Sequence, residues 1–203
     1  MDVLADRAPT LEEAIEAAQA GGARYVCLDG TLVPIDRVEA RKANGRHLYY
    51  SGKHKAFGVN LQVIADDAGN LIWVSPGSPG CTHDLSAARE HVLPHLVPYT
   101  SRHHRTDGTT PLVVLADKGY LGAGPAVATP RQRRATDSVP LADAGEATRS
   151  QLVTSLRAEA ERANAQLSVR WKALRRVSLD PSAVTTIAAA ALTLILLERD
   201  HGR

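Results

Sequence analysis

Apolar positions change their spacing several times along this chain, and each change predicts an element. In "PTLEEAIEAAQAGG" they recur at helical spacing. Thr10, with Glu13 three residues on, forms a capping box, and Gly21-Gly22 closes the run, so residues 1–22 are predicted to carry one N-terminal helix. "RYVCLDGTLVPI" is β-branched and apolar, a strand carrying Asp29. The basic, glycine-punctuated "EARKANGRHLYYSGKHKA" is expected to be a loop. "FGVNLQVIADDAGNLIWVSP" holds two alternating apolar runs around Asp66-Asp67-Ala68-Gly69-Asn70, a hairpin.

Further on, Thr82 is placed to cap a helix "HDLSAAREHVLPHL" with Asp84 in its first turn. "PYTSRHHRTDGTTP" is a polar loop, "LVVLADKGY" a strand and "AVATP" a short further strand. Residues 130–148 are basic and then broken by Pro and Gly, which predicts a mobile loop. A helical pattern follows from Thr148 to Leu174. Pro181 opens a last helix over 181–199. Its core, "AVTTIAAAALTLILL", is shorter than the ~20 residues that span a bilayer and reads as a buried helix. Strands mixed with helices predict one α/β domain over 1–203, with an early antiparallel hairpin and later crossovers.

Composition narrows the class. With 44% hydrophobic and 23% charged residues the chain is an ordinary globular sequence. Aromatics are only 4%, so the core falls to Leu, Val, Ile and Ala. A net charge of +2 neither identifies a nucleic-acid partner nor opposes one. Cys27 and Cys81 lack Cys-x-x-Cys spacing, which predicts free thiols and a cytoplasmic location. The acidic, helical start lacks the charged-then-apolar pattern of a secretory signal. No zinc-ligand spacing links the histidines and cysteines.

Three carboxylates on three elements are the candidate chemistry. Asp29 lies in the first strand and Asp117 ends a later one; adjacent parallel strands would bring both to one rim of the sheet. Glu161, in "AEAERANAQL", sits at the border of an uneven apolar helix face and can reach that rim, with Glu159 as its rival. Three such carboxylates suit two divalent ions ~4 Å apart. Oxygen donors favour Mg²⁺ or Mn²⁺. One ion would activate a water or a 3′-hydroxyl and the other would stabilise the leaving oxygen. The bland alternatives are that Asp29 and Asp117 are turn residues and Glu161 a solvated helix glutamate.

"LDGTLVPIDRV", "YYSGKHKAFGVNLQVIAD", "GNLIWVSPGSPGCTHDLSAAR", "VLADKGYLGAG" and "ERANAQLSVRWKALRRVSLDPS" occur in that order. Together they resemble the DDE-superfamily transposases of bacterial insertion sequences, related to the Harbinger-type endonuclease domain, from about Thr10 to Leu197. The resemblance implies a ribonuclease-H-like fold, a mixed sheet with flanking helices. It implies a catalytic and metal-binding set of Asp29, Asp117 and Glu161. It also implies two Mg²⁺ or Mn²⁺ ions, a double-stranded DNA substrate at transposon ends and target, and a homo-oligomer on DNA, with no membrane role.

His83 and Asp84, in "GCTHD", match a family motif and are expected to support the site. Arg157 matches an arginine one turn before the catalytic glutamate. Lys53, His54, Lys55, Lys118, Arg131, Arg133 and Arg134 are further expected DNA contacts. Two departures stand out. Ser168 takes a position where relatives often carry Lys, with Arg170 and Lys172 nearby. The expected N-terminal helix-turn-helix is not seen before Asp29. A metal-dependent DNA transposase is the expectation, and an inactive or truncated remnant that only binds DNA is the alternative.

Overall fold

The computed structural model describes residues 1–100, 111–130, 158–178 and 180–202, with side chains from Glu161 onward in the third span. At its centre is β1 (Tyr25–Pro34), which pairs antiparallel with β3 (Ala56–Ala65) and parallel with β6 (Val113–Ala116). Beyond β6 lies β7 (Val127–Ala128), also parallel. The other flank of β3 takes the short β2 (Tyr50–Ser51), β4 (Leu71–Val74) and β5 (Ser78–Pro79), all antiparallel. The result is a seven-stranded mixed sheet.

Strand alternation distributes β1 between two cores. Val26 and Leu28 pack with α2 (Leu11–Ala20), α3 (Asp84–His91) and α4 (Leu93–Thr100). Cys27 and Val33 pack with α5 (Ala158–Ser168) and α6 (Ala183–His201). Helices therefore cover both faces of the sheet, the ribonuclease-H-like arrangement. The scarcity of aromatics is met as expected, by aliphatic packing: Leu61, Ile64, Leu71, Leu167 and Leu192 are fully buried.

The capping box forms: the Thr10 hydroxyl accepts from Glu13 N, and Thr10 N donates to the Glu13 carboxylate. The N-terminal segment holds two helices rather than one, a short α1 (Asp2–Ala5) preceding α2. The carbonyl of Leu4 in α1 accepts the buried Thr193 hydroxyl of α6 at 2.8 Å. The hairpin closes at Asp66, whose carboxylate accepts from Ala68 N and Asn70 N.

The expected loop before β3 contains the short strand β2, the last helix runs Ala183–His201 rather than 181–199, and other boundaries also differ from the pattern. His83, not Thr82, is the N-cap of α3, and its side chain makes no capping bond; the Thr82 carbonyl instead accepts from Asn60. The expected single helix breaks at Val92 (φ −125°), because Pro94 has no N–H to continue the ladder. α4 then runs through Pro98 to Thr100, where a loop was expected. Finally, α5 stops at Ser168 rather than Leu174. The Ser168 hydroxyl bonds the Asn164 carbonyl, and one 3₁₀ turn, Lys172–Leu174, follows. The start of that helix and nearly all of the expected 130–148 loop lie outside the described residues. α6 is a core helix, with Val184, Ile187, Ala188 and Leu192 among its buried positions. No helix among the described residues is long and apolar enough to cross a membrane. Cys27 is buried and Cys81 half-buried, both free.

Candidate active site

In the parallel pairing of β1 with β6, Leu28 stands opposite Ala116. The next residues are Asp29, still inside β1, and Asp117, just past the end of β6; they lie on neighbouring strands, where strands are about 4.8 Å apart. Asp29 follows the alternation of Cys27, toward α5. Its Oδ1 accepts from Gly30 N at 2.9 Å, and its Oδ2 accepts from Asn164 Nδ2 of α5 at 2.7 Å. Asp117 caps the 3₁₀ turn Lys118–Tyr120, its Oδ1 accepting from Gly119 N at 2.7 Å. The turn role and the rim placement thus belong to the same carboxylate.

A third aspartate approaches from α3. A Cβ on Gly30 would lie 2.6 Å from Asp84 Oδ1 and 3.2 Å from the Tyr120 hydroxyl, so glycine is what lets α3 close on β1. Asp84 Oδ2 accepts from Lys53 Nζ at 2.7 Å, and Asp84 Oδ1 accepts from Asn60 Nδ2 at 2.7 Å. Behind Asn60, Gln62 Nε2 donates to Asn60 Oδ1 at 3.0 Å, and the Tyr120 hydroxyl donates to Gln62 Oε1 at 2.7 Å. Asn60, Gln62 and Tyr120 are all buried.

The charges of this cluster act on one another. Burial opposes ionisation of Asp84, yet the hydrogen bonds from Lys53 and Asn60 outweigh it, with the charges of Lys53 and His83 adding, and hold the carboxyl below its ordinary value. Burial also works against the Lys53 charge. The hydrogen bond and charge of Asp84, then Asp117 and Asp29, reverse that and raise the ammonium above its ordinary value. Tyr120 is pushed far up, first by burial and then by the same three aspartates. Lys53 and Tyr120 therefore both feel the charges of Asp29, Asp84 and Asp117.

Glu161 is exposed on α5, three residues before Asn164. Asn164, rather than Glu161, supplies the α5 contact to Asp29. Among the described residues no three His, Cys, Asp or Glu side chains gather as a metal-binding group. The donor chemistry at the rim nonetheless fits a hard divalent ion. Asp29 and Asp117 offer carboxylate oxygens, and Asn164 Oδ1 is a buried oxygen with no partner among the described residues.

His54, Lys55 and Lys118 are exposed, Lys118 directly after Asp117, and His83 is exposed at the start of α3. Ser168 is spent on the Asn164 carbonyl, and Arg170 is paired with Glu198. Arg131, Arg133, Arg134 and Arg157 lie outside the described residues, as does the Glu159 side chain.

A cleft of about 240 Å³ opens beside Asp84, lined by Lys53, His54, Asn60, Thr82 and His83. It shares Gly52 and Cys81 with a groove of about 450 Å³ lined by Lys42, Asn44, Arg46, His47 and Tyr50. No carboxylate lines that groove among the described residues. Sequence reasoning missed Asn60, Gln62, Asn164 and this groove. The signal for the first two was present: both are polar positions inside the apolar strand "FGVNLQVIA".

A mixed sheet with helices on both faces, with Asp29 inside β1 and Asp117 at the end of the neighbouring parallel β6, defines a ribonuclease-H-like domain. The family model described as DDE superfamily endonuclease matches residues 28–197. The chain belongs to that family, and the match spans Asp29, Asp117 and Glu161. No curated protein and no solved structure matches the sequence.

Proposed function

We propose that this chain cuts DNA phosphodiester bonds at transposon ends and joins the freed 3′-hydroxyl to target DNA. The observation that carries the reading is the placement of Asp29, inside β1, next to Asp117 at the end of the parallel β6, in a chain of the DDE endonuclease family. In the cut, a water oxygen bonds to phosphorus, the P–O3′ bond breaks, and the 3′-oxygen leaves as a hydroxyl. In the joining step that hydroxyl oxygen bonds to a target phosphorus, the target P–O3′ bond breaks, and the target 3′-oxygen leaves as a hydroxyl.

Asp29, Asp117 and Glu161 are the residues that would hold Mg²⁺ or Mn²⁺, with Asn164 fixing the Asp29 carboxylate. The ions, when bound, supply the positive charge that offsets the charge developing on the phosphate. Lys53 stays cationic and meets a phosphate oxygen from the α3 side. His54, Lys55 and Lys118 extend this positive rim, as do Arg131, Arg133, Arg134 and Arg157. The groove through Lys42 and Arg46 carries duplex DNA away from the cut, and a homo-oligomer would hold two DNA ends together.

A second reading, a remnant that binds DNA without cutting it, is favoured by the contact of Asn164, an amide, with Asp29 in place of a third carboxylate. Nicking of supercoiled plasmid in Mn²⁺ separates the two. The catalytic reading requires nicking by the wild type and its loss in Asp29→Asn, Asp117→Asn and Glu161→Gln. Full activity in Asp29→Asn overturns it. Salt-dependent DNA binding without any nicking establishes the remnant.

A further inference from the structure

We propose that Tyr120, Gln62 and Asn60 form a one-way hydrogen-bond relay that positions Asp84, and through it Lys53, in the cleft they line at the start of α3. The inference rests on the proposed nuclease reading for its rate measurement but not for its spectroscopic one. The direction of the relay follows from elementary chemistry. An ionised carboxylate only accepts hydrogen bonds, so Asn60 must turn its amide nitrogen to Asp84. That leaves Asn60 Oδ1 facing Gln62, which must turn its own nitrogen forward. Gln62 Oε1 then faces Tyr120, whose hydroxyl must donate.

Each member has a reason to be immobile. Gln62 is fully buried, Tyr120 is 1% exposed and Asn60 6% exposed, so none can exchange its partner for bulk water without exposing a polar group. Asn60 and Gln62 occupy alternate positions on one strand, β3, which places both side chains on the face covered by α3. Tyr120 belongs to the turn that Asp117 caps. The relay therefore ties the Asp117 turn to the α3 carboxylate across the sheet. Its far end is the Lys53 ammonium, held at 2.7 Å by Asp84 Oδ2.

Tyr120 touches no substrate in this scheme. It is a positioning residue: its hydroxyl sets the orientation of two buried amides, and the second of these sets Asp84. Without the hydroxyl, Gln62 loses the partner that keeps its oxygen turned from Asn60, and the alignment of Asp84 with Lys53 relaxes. Phe at 120 keeps the ring that fills the core.

The test pairs Tyr120→Phe with Asp84→Asn in the full chain, alone and together. Plasmid nicking at saturating DNA, DNA affinity and thermal midpoint are measured for each. Tyr120→Phe is expected to lower the saturating rate about three- to tenfold while DNA affinity changes less than twofold. In the Asp84→Asn background the same substitution is expected to change the rate less than twofold, because the relay then has no carboxylate to hold. A rate within twofold of wild type in Tyr120→Phe, or an undiminished effect in the Asp84→Asn background, overturns the relay.

Side-chain amide resonances of Asn60 and Gln62 supply a readout independent of activity. The relay requires both to shift in Tyr120→Phe, and a shift confined to Gln62 overturns it. A wild-type chain that nicks nothing defeats the proposed function, while the relay is still decided by these resonances.

Discussion

Asn164 Nδ2 lies 2.7 Å from Asp29 Oδ2, joining α5 to β1. One amide on α5 thus fixes the carboxylate that leads the proposed triad. Asn164→Asp would set two carboxylates at hydrogen-bond distance. The variant should melt below wild type without metal, and Mn²⁺ should raise its midpoint more than it raises that of wild type. Thermal melts with and without the ion check this; equal metal shifts in the two proteins would count against a cation at Asp29.

Gly30 is a close approach between β1 and α3. A methyl group there meets Asp84 Oδ1 at 2.6 Å and the Tyr120 hydroxyl at 3.2 Å. Gly30→Ala should cost about 1–3 kcal/mol, the usual range for overpacking, and should lower the nicking rate because Asp84 is displaced. Chemical denaturation and the plasmid assay report the two effects separately.

The Lys53–Asp84 pair gives stability a defined pH window. Asp84 has its folded pKa below the ordinary 3.8, so its contribution is present above that value and is lost as pH falls through the folded pKa. Lys53 has its folded pKa above 10.5, so its contribution is complete below 10.5 and is lost as pH rises through the folded value. The stability difference between wild type and Lys53→Met should be flat near neutral pH and vanish at both extremes. Denaturation curves across pH measure it. A difference that persisted undiminished well below pH 3.8 would contradict the pairing.

Lys42 and Arg46 line the groove that continues from the Asp84 cleft. Each phosphate contact contributes about 0.9 to the slope of log affinity against log salt for duplex DNA. Replacing both residues by Ala should reduce the slope by about 2 if both meet phosphates, with the saturating nicking rate preserved. Fluorescence anisotropy over a salt series gives the slope, and an unchanged slope would remove the groove from the DNA path.

Much of this architecture was legible because local chemistry dictated it. Thr10 with Glu13 announces a helix start that depends only on residues three apart. The Asp66–Asn70 cluster announces a turn for the same reason. Asp117 was read both as a turn residue and as a site residue, and its capping of the Lys118–Tyr120 turn shows why a strand can end on it. The helix break at Val92 was missed although Pro94 carried the signal.

The sequence by itself determined most of the elements, the candidate aspartates Asp29 and Asp117 and the family, since each rests on short-range pattern or on motif order. Tertiary structure decided which side chains meet. Parallel pairing of β1 with β6 set Asp29 beside Asp117, α5 presented Asn164 rather than Glu161 to Asp29, and α3 brought Asp84 against Gly30. Those contacts depend on strand register and helix rotation, which arise from packing two cores at once and leave no periodic trace in the chain.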